Sequence, residues 1–170
     1  MCLKKIQKYL NKRKEKNFWN HADSWLAAIV LKDDQVYGRI RENLALLNGI
    51  PKPQTGYFYR DIVYVEGPTG MQLYRDDEIE EYLATGIYKR SNIPTFTFKA
   101  VIPSGRDYFH LQDMFRGEIY RVRFPWSEKE NNHEWRLGYC TAKSIEDANR
   151  LLTKFGEMHA GTKVKDISTI

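Results

Sequence analysis

Residues 119–126 read Ile-Tyr-Arg-Val-Arg-Phe-Pro-Trp, and residues 135–140 read Trp-Arg-Leu-Gly-Tyr-Cys. Side chains alternate across a strand with a period of two. The first run therefore sets Tyr120, Val122, Phe124 and Trp126 on one face and Arg121 and Arg123 on the other. Trp135, Leu137 and Tyr139 continue the apolar face and Arg136 the charged one, which predicts a hairpin closed by the polar stretch Ser127 to His133. A one-residue slip would bury all three arginines, and an unpaired buried guanidinium is costly. Arg121, Arg123 and Arg136 are thus expected to share one face, exposed or salt-bridged.

The pattern extends outward from this hairpin. Ser144 and Asp147 form a capping-box-like start for a helix that buries Ile145, Ala148, Leu151, Leu152 and Phe155 and stops at Gly156. Thr162 to Ile167 returns as a strand. Upstream, Thr95 to Ala100 alternates with Phe96 and Phe98 inward, and Asp107 to Phe115 reads as a short helix ended by Gly117. In order alone, the last four elements resemble ferredoxin-like modules, a likeness of fold that carries no function.

The N-terminal half is harder to read. Ser24 can cap a helix opening at Trp25, and period alone leaves open whether Trp25 to Leu47 is one helix or a short apolar strand, Ala27 to Leu31, followed by a helix. Val36, Ile40, Leu44 and Leu47 recur at about helical spacing behind the capping pair Asp33 and Asp34, so a helix is expected from Asp34 onward, ended by Asn48, Gly49 and Pro51. Tyr57 to Val65 reads as a strand stopped by Gly67, Pro68 and Gly70, with Met71 to Tyr74 as a short partner. Asp76 or Asp77 then caps a short helix whose Ile79, Tyr82 and Leu83 share a face, with Gly86 as its stop. The expected fold class is α+β: an antiparallel or mixed sheet with helices packed on one face, preceded by a basic amphipathic N-terminal helix. Residues 1–16 form the tail and 17–170 a single α+β domain.

Charge is distributed unevenly. The 170 residues carry a net +5. Residues 1–16 alone hold seven lysines and arginines against Glu15, which leaves 20 basic and 21 acidic side chains and a net −1 for the remainder. Long-range attraction to phosphates or anionic lipid must then come from the tail, unless charges on the body segregate onto faces. In that tail Leu3, Ile6 and Leu10 fall at helical spacing, with Lys4, Lys5, Lys8 and Lys12 on the complementary arc. Such a helix can lie on an anionic membrane, dock on a partner or fold back on its own body, and residues 1–12 are the candidates for peripheral membrane contact. The longest uncharged apolar run, Trp25 to Leu31, is seven residues where a membrane span needs about 20. Two cysteines, Cys2 and Cys140, make no disulfide framework, and the start lacks a secretory apolar core, so a reduced cytoplasmic setting is expected.

Most catalytic constellations fail on spacing. No histidine is followed two residues later by Ser or Thr, which excludes a two-histidine phosphoesterase pattern. His133 and Glu134 begin like a zincin helix, but Leu137 stands where the second histidine belongs. Gly67 to Gly70 lacks the Lys of a phosphate loop. Gly86-Ile87-Tyr88 has no Tyr-Ile-Gly partner run, and Glu78-Ile79-Glu80 sits at an acidic helix start. Cys140, at a strand end, reads as a small buried residue rather than a nucleophile. His110 and Asp113, three apart on a short helix, are the remaining catalytic pair.

These readings point to a small non-catalytic binding or regulatory protein with no cofactor or metal. Its partner is expected to be a macromolecule, protein before nucleic acid, engaged by the basic tail and by an aromatic surface carrying Arg121, Arg123 and Arg136. The alternative is a small hydrolase or nuclease using His110 and Asp113. An ordinary solvated sheet face, with the arginines paired to glutamates, is the bland reading of the same three residues.

Overall fold

The computed structural model describes residues 18–19, 23–124 and 135–170. The expected amphipathic helix, its lysines Lys4, Lys5, Lys8 and Lys12, and Trp126 with the hairpin connection lie outside them. The chain forms a mixed α+β structure with two sheets. The first is a closed barrel of β1 (Trp25–Leu31), β2 (Asp34–Arg41), β3 (Leu44–Leu47), β4 (Ile62–Tyr74) and β5 (Asp77–Lys89). Five strands running alternately up and down leave the first and last pointing the same way, and β1 accordingly closes on β5 in parallel, Ile29 opposite Tyr82. The barrel is filled from the strand faces that turn inward, including Ile29, Leu31, Val36, Ile40, Leu47 and Val63.

The helix expected from Asp34 onward and the one after Asp76 or Asp77 are therefore strands, and so is Trp25–Leu31, the run that Ser24 could have capped as a helix. Val36, Ile40 and Leu44 are spaced by four, a multiple of two as well as nearly one helical turn, so the same spacing satisfies both periods. The aspartates read as caps are instead hairpin corners or their neighbours. Leu31 pairs with Asp34 across a two-residue turn, Arg41 with Leu44, and Tyr74 with Asp77. At the last of these Arg75 and Asp76 both have positive φ, 53° and 77°, the backbone of a type I′ turn whose twist matches the strands it joins. Gly67, Pro68 and Gly70 do not stop a strand: β4 runs through them for 13 residues, with a register shift between Glu66 and Gly70. Tyr57 to Asp61 is irregular, with a turn at Tyr59 and Arg60, rather than the start of that strand.

The C-terminal half follows its sequence pattern closely. Strand β6 (Thr95–Val101), helix α1 (Gly105–Met114), β7 (Arg121–Arg123), β8 (Arg136–Thr141), helix α2 (Ile145–Met158) and β9 (Lys163–Thr169) form an antiparallel sheet of order β7-β8-β6-β9. This is the split β-α-β-β-α-β arrangement. Both helices open on a serine cap: Ser104 accepts from the Asp107 amide at 3.2 Å and Ser144 from the Asp147 amide at 3.3 Å. Gly156 does not end α2, which continues to Met158. Phe96, Phe98, Val122 and Cys140 of the sheet pack against Leu111 and Phe115 from α1 and its end, and against Ala148, Leu152 and Phe155 of α2.

Gly138 of β8 lies on this packed face. A Cβ there would stand 2.5 Å from Phe98 Cζ and 2.8 Å from a Phe124 ring carbon, so the two rings, edge to face at 5.3 Å, need the glycine. Gly138→Ala is expected to destabilise the protein by about 1–3 kcal/mol through overpacking. Denaturant unfolding measures it, and a change under a few tenths of a kcal/mol would contradict the packing described.

A smaller cluster of Ile50, Tyr59 and Tyr139, with Ile93 beside it, joins the two cores. One end of the sheet face opposite the helices is thereby covered by the barrel.

Candidate functional site

The face of the four-stranded sheet turned away from its helices holds two of the three arginines. Arg121 stands opposite Thr141 and Arg123 opposite Tyr139, so all four point to that side, while Val122 faces Cys140 in the helix-side core. Arg136 does not join them. It lies opposite Ala100, a residue of the helix-side core, so Arg121 and Arg123 occupy one face and Arg136 the other. The expectation that Trp135, Leu137 and Tyr139 look toward the helices is reversed for a physical reason. At position 138 Phe98 and Phe124 leave no room on that side even for a Cβ, Cys140 packs in the helix-side core, and Tyr139 is buried against the barrel instead.

Arg121 and Arg123 are engaged within the chain. Arg123 makes a two-pronged pair with Asp34 of β2, Nη1 to Oδ2 at 2.7 Å and Nη2 to Oδ1 at 2.8 Å, and also donates to the Ile50 carbonyl at 2.6 Å. The Lys52 amide donates to the same carboxylate at 2.8 Å. Burial alone would raise the Asp34 pKa, but the Arg123 and Lys52 hydrogen bonds outweigh it and hold the carboxyl below its ordinary value. Arg121 donates to the Gly117 and Tyr120 carbonyls and lies over the Tyr59 ring, 5.5 Å from its centroid. This end of the face is a clasp between barrel and sheet.

Beyond the barrel the same face is open. Trp135 and Leu137 are 42% and 45% exposed. Leu137 pairs with Lys99, which in turn pairs with Lys165, and Lys163 follows opposite Val101. The Lys165 ammonium sits 4.3 Å from the centroid of the Trp135 ring. Lys99 reaches Asp166 at 3.2 Å, with both side chains about half exposed, a contact of little energetic weight. Three lysines thus flank two apolar side chains on the β6 and β9 side, with Asp166 as the acid among the residues described there. Lys99, Lys163 and Lys165 are not among the residues singled out from the sequence, and Trp135 and Leu137 read there as core, because the sequence does not reveal which side of β8 the barrel covers.

The remaining chemistry is dispersed. His110 is exposed on α1 with its ring 5.1 Å from that of His159, whereas Asp113 pairs with Arg116 at 3.4 Å. The carboxylate that contacts a histidine is Asp107, 2.9 Å from His159 Nδ1 and bonded also by the Ser104 hydroxyl at 2.7 Å. That serine caps α1, and its hydroxyl is bonded to the carboxylate rather than to the imidazole. Among the described residues no group of three or more His, Cys, Asp or Glu is placed to hold a metal ion. Likewise among them, no helix is long and apolar enough to cross a membrane.

Cys140 is fully buried, and desolvation pushes its thiol up to about 12. In a Cys2→Ser variant the native protein should therefore stay unlabelled by an aqueous thiol reagent at pH 8 and label fully on unfolding. Prompt native labelling would contradict this.

No family model matches the sequence, and no curated protein matches it. Among solved structures, a hypothetical protein from Neisseria gonorrhoeae aligns over 86% of this chain and 95% of its own, at 12% identity and a TM-score of 0.33, a likeness too slight to carry an argument about fold or function.

Proposed function

We propose that this chain is a non-catalytic binding or regulatory protein whose partner is another macromolecule, a protein before a nucleic acid. The observation that carries the reading is the open half of the sheet face, where Trp135 and Leu137 stand exposed and are flanked on one side by Lys99 of β6 and by Lys163 and Lys165 of β9. Exposed tryptophan with an aliphatic neighbour and a charged rim is the make-up of a protein-interface centre. The lysines select for an acidic partner. A single-stranded nucleic acid would use two or three rings of such a sheet to stack bases. Here Tyr139 is buried under the barrel, which leaves Trp135 as the exposed ring among the described residues of this face. The basic tail at residues 1–16 adds charge of the same sign to whatever this face attracts.

A photo-cross-linking residue at position 137 tests the reading. The expected result is a discrete protein adduct whose purified species binds the parent and loses at least about tenfold in affinity with Trp135→Ala or Lys165→Glu, as for truncation at an interface centre. Equal affinity in both variants sinks the proposal. Saturable binding of single-stranded oligonucleotides at this face, abolished by the same changes, would replace a protein partner by a nucleic acid.

A further inference from the structure

A cleft of about 270 Å³ lies on a different part of the molecule, where the base of the barrel meets the connectors leading into β6 and β7. Its volume falls just under the roughly 300–1,000 Å³ of pockets that take drug-sized ligands. Trp19, Leu46 and Ile62, which pack together as an apolar cluster, line one part of it, and Arg60, Lys89 and Arg90 contribute three cations. Glu118 is the acid among its lining residues.

Both guanidinium groups are held in place by one nitrogen. Arg90 uses Nη1 for the Gly56 carbonyl at 2.6 Å and for the buried Asp61 carboxylate at 2.9 Å. Arg60 uses Nη1 for the Asn48 amide oxygen at 3.3 Å. Each keeps its Nη2 and Nε donors outside these bonds, and a planar fork already fixed at one corner loses little freedom on taking an anion. Arg60 is held, moreover, with φ at +67°, in the left-handed region that costs a non-glycine residue energy. The turn is secured by the Arg60 amide donating to the Leu47 carbonyl and the Asp61 amide to that of Phe58. Strain that the surroundings maintain is a recurrent mark of ligand sites.

We infer that this cleft binds a small amphipathic anion, an apolar or aromatic group against Trp19, Leu46 and Ile62 with its carboxylate or phosphate toward Arg60 and Arg90. The inference is independent of the sheet-face reading, because no residue is shared between them. The apolar wall supplies contact area that is indifferent to ligand charge. The anchored guanidinium groups supply the preference for an anion.

The full chain titrated with 1-naphthoate, 1-naphthyl phosphate and the uncharged 1-naphthamide tests this by calorimetry, with amide and methyl NMR shifts locating the ligand. Saturable binding of one or both anions is expected, with shifts centred on Leu46 and Ile62, and at least about tenfold weaker binding of the amide. The tighter anion identifies the headgroup. Arg60→Gln is expected to weaken the anion about tenfold while leaving the melting temperature nearly unchanged. Arg90→Lys serves as the second variant, since it retains a cation for Asp61 and loses the fork. No binding of either anion, an amide within twofold of the acids, shifts mapping elsewhere, or parental anion affinity in both variants would overturn the assignment.

Discussion

Replacing Asp61 by alanine is expected to cost about 3–5 kcal/mol, because it removes a fully buried carboxylate that satisfies two backbone amides and one partly exposed guanidinium. The side chain is 0% exposed and gathers three donors: the Phe58 amide at 3.0 Å, Arg90 Nη1 at 2.9 Å and the Ser91 amide at 2.9 Å. Its backbone is also engaged, the carbonyl accepting from Leu47 and the amide donating to Phe58. One residue thereby fixes the 58–61 turn, the end of β3 and the start of the connector that leads to β6. Truncation leaves the Phe58 and Ser91 amides without that acceptor and frees Arg90 from one of its two anchors. Asp61→Asn is expected to fall between, because one amide oxygen can still accept while the NH₂ group faces donors. At about 2–4 °C per kcal/mol for a chain of this size, the alanine variant should melt roughly 6–20 °C lower. A loss below about 1 kcal/mol, or unchanged hydrogen exchange at the Ser91 amide, would refute this account.

The roles of Asp61 and Asp34 are not legible in the sequence, because Asp61 holds Arg90 and Ser91 and Asp34 holds Arg123, all far along the chain. Local signals served the C-terminal half well. Ser144 caps its helix as its spacing to Asp147 predicts, and Phe96 and Phe98 alternate inward, since such caps and strand parity are written within a few residues, whereas the Ser104 cap lies ahead of the helix start expected at Asp107 and is not among the residues singled out there. They failed where one pattern serves two periods, as with Val36, Ile40 and Leu44, and where a pair of polar residues can cap a helix or turn a hairpin, as at Asp33-Asp34 and Asp76-Asp77. They failed again at β8. Trp135, Leu137 and Tyr139 form an apolar stripe, but apolarity marks a buried face only where a strand has one such face. Tyr139 is buried by the barrel on the side opposite the helices, and no run of residues near it announces that cover. The open end of the stripe is the candidate interface, and the cleft beside Arg60 is assembled from five separated stretches of chain.

Reversing the charge of Arg123 is expected to unfold the protein or destabilise it by about 3–5 kcal/mol, rather than to alter binding alone. A glutamate there would face Asp34, whose side chain is 4% exposed, and the Ile50 carbonyl in place of the present bonds of 2.6 to 2.8 Å. Arg121→Glu should cost less, since Arg121 faces no buried carboxylate: it donates to the Gly117 and Tyr120 carbonyls and lies over the Tyr59 ring. The pair also fixes an acid limb. With the folded Asp34 below its ordinary value of 3.8, the folded protein binds this proton more weakly than the unfolded chain does. The contribution is complete at pH values well above 3.8, declines as pH falls toward and below it, and is gone once pH has dropped through the lower folded value. Because other carboxylates titrate in the same range, the measurement is the difference between parent and Asp34→Asn in unfolding free energy across pH 2 to 7. That difference should shrink steadily with acidification, and a gap independent of pH would show that Asp34 owes its importance to shape rather than charge. A double change, Asp34→Leu with Arg123→Met, separates the two further. Removing both charges together should recover much of what either single change loses, since the larger penalty comes from the ion left behind.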